Sequence, residues 1–356
     1  VRTLIDQSRI GKFPLDLIEK IVYSRLGAHR PEILVGPGHG RDNAVIRLGN
    51  NQVLVVTADP LSMIPALGVQ DSAWLSVHLL ASDLATCGFP PQFMIVNLCL
   101  PPSMSDNEFE EYWSAFHNEC KKLGVAILGG HTGRYVGCDY TIIGGGVMMT
   151  LAPEKQYLSS NMSKPGDLLI ITKGVAIAAT GILARVFPET IEKAYGSAFL
   201  KRAQSYFHQF SVVEDALTAA SAGLRGEGVT AMHDVTEGGL LGALYELSEA
   251  SKIGLEIELS DVIVTEEAKL VCDLFNIDPY STLSEGTLII SVKPEKAQKV
   301  LQALKLKRIK SEVIGKVTDL RDGRWIKRNG VREALKKPSI DPYWEAYWKA
   351  YRKGWK

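Results

Sequence analysis

The chain has 356 residues, 46% hydrophobic and 22% charged, so it can bury a sizeable core and is not a disordered, low-complexity polymer. Lys plus Arg equals Asp plus Glu, giving a formal net charge of zero, which removes the broad basic footprint of a nucleic-acid binder. Five scattered cysteines, an odd count with no C-x-x-C pair, argue against a disulfide framework or a structural zinc site. No apolar run approaches the roughly 20 residues that cross a bilayer. Charges also interrupt the opening VRTLIDQSRIGKFPLDLIEK where a signal peptide needs an apolar stretch. A soluble, cytoplasmic protein acting on a small molecule, with no nucleic-acid or membrane partner, is expected.

Leu15, Leu17, Ile18, Ile21, Val22 and Leu26 recur at helical spacing and stop at Gly27. The glycine-rich loop GPGHGRDNA follows, and then two apolar runs, Val45–Leu48 and Val53–Thr57, split by Gly49-Asn50-Asn51 as in a hairpin. Gln70–Cys87 reads as a helix and Phe93–Leu100 as a buried strand stopped by Pro101-Pro102. Ser105 ahead of Glu108 forms a capping-box signature for a helix reaching Leu123. Val125–Leu128 and Thr141–Thr150 are strand-like, with GGHTGR read as a turn after the first.

The polar run SSNMSKPGD marks a boundary before a new strand, Leu168–Thr172. Val229–Met232, Gly254–Leu259, Thr287–Val292 and Ile309–Val317 alternate with helices over Gly238–Ser251 and from Pro294. The expected organisation is an N-terminal domain over 1–160, a C-terminal domain over 161–335 and a helical tail over 336–356. In that tail Tyr343, Tyr347 and Tyr351 share one helical face, with Trp344 and Trp348 beside them. The stripe fits docking on its own chain or a protein partner.

Three aspartates stand beside apolar runs in the first half: Asp42 in GRDNAVI, Asp59 in VVTADPLS and Asp83 in LASDLATCGF. Carboxylates repeated along a core edge need compensation, and Mg²⁺, a hard cation that also binds phosphates, supplies it. Each alone also reads as a cap or turn residue. Gly36, Gly38 and Gly40 can bring backbone N–H groups to phosphates, although no Walker lysine follows and an ordinary loop fits equally. Gly129, Gly130, His131, Thr132 and Arg134 form a second such cluster, in which His131 fits a metal ligand, a proton carrier or a structural histidine. In MHDVTEGGLLGAL, Asp234, Thr236 and Glu237 stand at the mouth of a turn that opens a helix.

In order, GRDNAVI, TADPLSMIP, ASDLATCGFPP, GGHTGRY, KPGDLLIITK, MHDVTEGGLLGAL and LSEGTLIISV resemble the superfamily that contains aminoimidazole ribonucleotide synthetase, the hydrogenase-maturation carbamoyl dehydratase, selenophosphate synthetase and thiamine-monophosphate kinase. They cover about residues 30–330, and their phrasing is most similar to the carbamoyl dehydratase. The resemblance implies an α/β (α+β) two-domain fold, with an N-terminal sheet that dimerises and a C-terminal α/β domain. It implies a homodimer with ATP in the cleft and Mg²⁺ held by Asp42, Asp59 and Asp83. Asp83, His131 and Asp234 become the candidate catalytic groups. Gly36, Gly38, Gly40, Asp59, Gly129, Gly130, Thr132, Arg134 and Thr236 become the candidate nucleotide contacts. The implied activity is ATP-dependent phosphorylation of an oxygen of a small substrate. The alternatives are a phosphotransferase like thiamine-monophosphate kinase and a nucleotide-binding scaffold without turnover.

The chain departs from this pattern in places. It ends in RKGWK, and its last cysteine is Cys272, so the dehydratase's terminal cysteine has no counterpart here. No cysteine precedes Cys87, where selenophosphate synthetase carries a reactive cysteine or selenocysteine, with a lysine, near its amino terminus. His131 replaces an acidic residue of the dehydratase and the thiamine-phosphate kinase, and Asn43 stands where the kinase-like pattern has a second acid.

Overall fold

The computed structural model describes residues 11–337 and 340–356. Two mixed sheets organise it. The first takes β1 (Ile33–Val35), β2 (Ala44–Gly49), β3 (Gln52–Ser62), β4 (Phe93–Leu100), β5 (Ala126–Arg134) and β6 (Ile142–Pro153) in the order β1-β2-β3-β6-β4-β5. All neighbours are antiparallel except β4 and β5. The second takes β7 (Leu168–Thr172), β8 (Val229–Val235), β9 (Ile253–Glu258), β10 (Thr287–Val292), β11 (Ser311–Asp319), β12 (Arg324–Arg328) and β13 (Val331–Ala334) in the order β13-β12-β9-β11-β7-β10-β8.

Where local chemistry is strong, the elements follow the residue pattern. The Ser105 hydroxyl accepts the Glu108 N–H at 3.2 Å while Glu108 Oε2 accepts the Ser105 N–H at 2.8 Å. This reciprocal cap opens α3 (Asp106–Leu123), which stops at left-handed Gly124. The helix α2 (Val69–Ala85) buries Ala73, Val77, Leu80, Ala81 and Leu84 against the first sheet and α3. One apolar cluster runs from Val55, Leu80 and Met94 through Ala216 of α7 (Val213–Ala220) to Met232 and Ile290 of the second sheet. The two layers therefore share a core.

Two readings change. The helix expected over Leu15–Leu26 is a short α-turn, Leu15–Ile18, that passes into a π-turn, Glu19–Tyr23, and buries none of its residues. GGHTGR is not a turn, because it is the second half of β5 and pairs with β4 as far as Arg134. Gly130 makes that pairing possible: a Cβ there would lie 1.6 Å from the Val96 carbonyl oxygen, and φ is +144°. The strand that leads to His233 and Asp234 is β8, with all seven of its residues buried.

Further helices fill the second half: α4 (Ile177–Val186), α5 (Pro188–Tyr195), α6 (Ser197–Ser205), α8 (Gly239–Ser251), α9 (Glu266–Phe275) and α10 (Pro294–Leu306). The tail forms α11 (Pro342–Arg352), capped by Asp341. Most of its aromatic stripe packs on its own chain: Tyr343, Ala346 and Ala350 are buried and Tyr347 meets Phe187 edge-on at 5.5 Å, while Tyr351 stays 62% exposed. Among the described residues no helix is long and apolar enough to cross a membrane.

Candidate functional site

The site forms where β8 of the second sheet meets the start of β2, the middle of β3 and the last turns of α2. Asp42 lies just ahead of β2. Its Oδ1 is 2.5 Å from His233 Nδ1, and His233 Nε2 is 3.1 Å from Glu246 Oε2 on α8. The Thr57 hydroxyl sits 2.8 Å from the Asp42 main-chain carbonyl oxygen and 3.3 Å from Asp83 Oδ2, so β3 ties the backbone at Asp42 to the Asp83 carboxylate. Asp83 is hydrogen-bonded to Asp234 and feels the charges of Asp59 and Asp42. The four aspartates thus converge from four separate segments.

Such crowding shifts protonation. Burial, followed by the charges of Asp234, Asp59 and Asp42, pushes the Asp83 carboxyl well above its usual range. Burial lifts Asp59 to about 6, with Lys12 pulling the other way. Asp234 rises to about 7 through burial and the charge of Asp42. For His233 burial opposes the charge, but Asp42 and Glu246 outweigh it and hold the imidazole up to about 10. Glu246 goes the opposite way: Lys12 and His233 overcome the cost of burial and lower it to about 2.

Asp42, His233 and Asp234 each offer a ligand atom within 4.8 Å of the others. His233 is nevertheless a poor ligand, since carboxylates occupy both ring nitrogens and the cation is favoured; it serves as charge partner and orienting group. The oxygens of Asp42, Asp59, Asp83 and Asp234 suit a hard divalent ion, and Asp42 Oδ2 is buried with no hydrogen-bond partner. The donor set fits Mg²⁺.

The other residues singled out in the sequence fall into two groups. Gly36, Gly38 and Gly40 form the loop leading to Asp42, clasped by Arg41, whose Nη1 donates to the Gly36 carbonyl at 2.8 Å. Gly40 lies so close to α8 that a Cβ would come 2.5 Å from the Glu246 carbonyl oxygen. Thr236 edges the cluster, its hydroxyl oxygen 2.9 Å from Lys12 Nζ.

Gly129, Gly130, His131, Thr132 and Arg134 are elsewhere, on the edge strand β5. Asp59, Gly146, Val96 and Gly130 occupy one row across β3, β6, β4 and β5, so Gly130 is three strand spacings, about 14 Å, from Asp59. His131 hydrogen-bonds the Tyr135 hydroxyl, and Arg134 is engaged by Asp106 at 2.7 Å and the Met104 carbonyl at 3.1 Å. Within one chain these residues do not meet the aspartates. Asn43 gives its amide to Thr86 at 3.0 Å.

The sequence reading passed over Lys12, Thr57 and Glu246, and it named His233 only as part of a strand end, not as a site residue. Glu246 carried a signal: it is an acid on the apolar face of a helix, three residues from Ala243 and seven from Gly239. Lys12 and Thr57 carried none.

Models of the AIR synthase related protein match this chain in both halves, the N-terminal domain over residues 40–149 and the C-terminal domain over 164–326. The chain belongs to the AIR synthase related family. Within it, a putative hydrogenase expression/formation protein of Methanocaldococcus jannaschii is 25% identical, covering 93% of this chain and 96% of the relative. A selenide, water dikinase of Caldanaerobacter subterraneus is 25% identical over 81% of this chain and 86% of its own length. The crystal structure of the hydrogenase maturation protein HypE in complex with ATP shares the fold, with a TM-score of 0.64 at 18% identity, covering 96% of this chain and 99% of that one. The mixed α/β, two-domain architecture described above is that of this family.

Proposed function

We propose that this chain is an ATP- and Mg²⁺-dependent enzyme that phosphorylates, and so activates, an oxygen of a small substrate. The observation that carries this reading is the convergence of Asp42, Asp59 and Asp83, each half-buried, on the buried Asp234. Burial lifts Asp59 to about 6 and, with the charge of Asp42, lifts Asp234 to about 7, while burial and the neighbouring carboxylates push Asp83 well above its usual range. A site that strains to hold its own negative charge is suited to a dication bridging protein oxygens and phosphates. These aspartates would hold Mg²⁺, which would neutralise charge on the transferring group. Thr57 and His233 orient Asp83 and Asp42, and the Gly36–Gly40 loop that leads to Asp42 would supply backbone N–H groups to phosphates. The ATP named with the HypE structure and the kinase name of the dikinase relative point the same way.

We place a homodimer contact on β5, an edge strand whose Leu128 is 59% exposed. A second copy seated there would bring Gly129, Gly130, His131 and Thr132 to another chain, where they can contact nucleotide, with His131 as a proton carrier. The division of labour follows 1–160 for dimerisation and phosphate binding, 161–335 for Asp234 and Thr236, and 336–356 as a docked tail.

Asp59→Asn and Asp83→Asn test the reading. Each is expected to lower substrate-stimulated ATP turnover by about a hundredfold or more, as when a preorganised electrostatic contact is removed, while circular dichroism stays unchanged. Undiminished turnover in both would sink the proposal. The acceptor is found by screening metabolites for thermal stabilisation with an ATP analogue and Mg²⁺. Product analysis then separates an activated intermediate that loses water from a stable phosphorylated product of the thiamine-monophosphate-kinase type.

A further inference from the structure

The strap ahead of the first helical turn sends one side chain into the acidic cluster. Lys12 Nζ is 2.9 Å from Thr236 Oγ1 and 3.5 Å from Glu246 Oε1, and it feels the charges of Glu237, Asp234 and Asp83 as well. Its backbone N–H donates to Glu237 Oε2 at 2.7 Å. The other oxygen of that carboxylate, Glu237 Oε1, accepts the indole N–H of Trp344 at 2.7 Å. One carboxylate therefore ties the strap to α11. Gly11 fits into the corner between them, where a Cβ would come within 3.1 Å of both Glu237 Oε1 and Trp344 Nε1.

Among the described residues the strap's other ties are polar too, such as the ion pair between Asp16 of the following turn and Lys337. Phe13 is 66% exposed, no residue of the following turns is buried, and the Lys12 side chain retains 53% of its accessible surface. A few polar contacts, rather than apolar burial, keep the ammonium in place, and such contacts exchange at low cost.

We propose that Lys12 is the resident counter-ion of the carboxylate cluster and sets the order in which ligands enter. This rests on the metal- and nucleotide-binding reading above. Without nucleotide, the ammonium competes with a bare divalent cation for the same field of carboxylates and repels it. A metal–nucleotide complex is different, because its phosphates give the ammonium a new anionic partner as it leaves Glu246. The site thus discriminates against free metal and in favour of the metal–nucleotide pair. Trp344 and Glu237 hold the strap at the working distance.

Calorimetric titration of the full chain with Mn²⁺ alone, and with Mn²⁺ plus a non-hydrolysable ATP analogue, tests this. Lys12→Met is expected to bind bare Mn²⁺ about tenfold more tightly and the Mn²⁺–nucleotide complex several-fold more weakly, because one positive charge has left the cluster. Lys12→Arg should keep both affinities near those of the wild type. Trp344→Phe, which removes the indole N–H together with its five-membered ring but keeps an aromatic ring in place, should move both in the Lys12→Met direction by less. Affinities that fall together in Lys12→Met, or that do not change, overturn the ordering role. Absence of any binding by the wild type overturns instead the assignment of the site, and the two failures are told apart by that titration.

Discussion

Replacing His233 with alanine probes the link between the two halves of the site. The imidazole bridges Asp42 at 2.5 Å and Glu246 at 3.1 Å, and the side chains of the three are only 5%, 4% and 9% exposed. Removing one partner from a buried ion pair typically costs about 3–5 kcal/mol, because the remaining charge is left without compensation. Here two carboxylates lose their partner, but Lys12 stays 3.5 Å from Glu246, so the lower end, about 3 kcal/mol, is expected. Urea unfolding at pH 7 in EDTA measures it, provided the slope is unchanged and the transition stays single. A second removal, Glu246→Gln in the His233→Ala background, should cost less than the sum of the two single changes, as befits groups in contact. A loss below about 1 kcal/mol would mean that the bridge is solvated like a surface pair, and the reasoning about charge crowding would fail with it.

Stability of the metal-free protein should fall as pH rises from 5 to 8. Asp59 and Asp234, lifted to about 6 and about 7, bind protons in the folded state that the unfolded chain has released above about 4, so their deprotonation opposes folding. His233, held up to about 10, acts in the same direction above about 6.5, its stabilising share being lost as pH climbs towards 10. Differential scanning fluorimetry in EDTA should show the melting temperature declining over that window, with added Mg²⁺ flattening the slope; a higher melting temperature at pH 8 than at pH 5 without metal would contradict it. Gly130→Ala should be severely destabilising, since the new methyl would lie 1.6 Å from the Val96 carbonyl oxygen and β5 would detach. Gly129→Ala, which meets nothing within 4 Å, should cost only its backbone strain at φ +146°, about 1–3 kcal/mol. Equal chemical denaturation midpoints for the two variants would refute the close-approach argument.

What could be read locally was read correctly where one short segment contains the whole cause. The Ser105–Glu108 cap, the helix reaching Leu123 and the apolar face of α2 each depend on residues within a few turns. The reading of GGHTGR failed for the same reason in reverse: glycine richness signals a turn, yet at Gly130 it answers the approach of β4, more than thirty residues earlier. Likewise the apolar repeat from Leu15 to Leu26 marks helical character but does not say that those side chains stay uncovered within the chain.

By itself the sequence determined the family, through ordered motifs, and which acids to suspect, since a charged residue beside an apolar run demands an explanation from its immediate neighbours. Only the tertiary structure decided which of them meet. Asp42 and His233 are 191 positions apart, and the Lys12 ammonium reaches Thr236 across 224. Contacts at that separation arise from how two sheets pack across a shared core, a balance of burial summed over many side chains that leaves no mark in the residues flanking either partner.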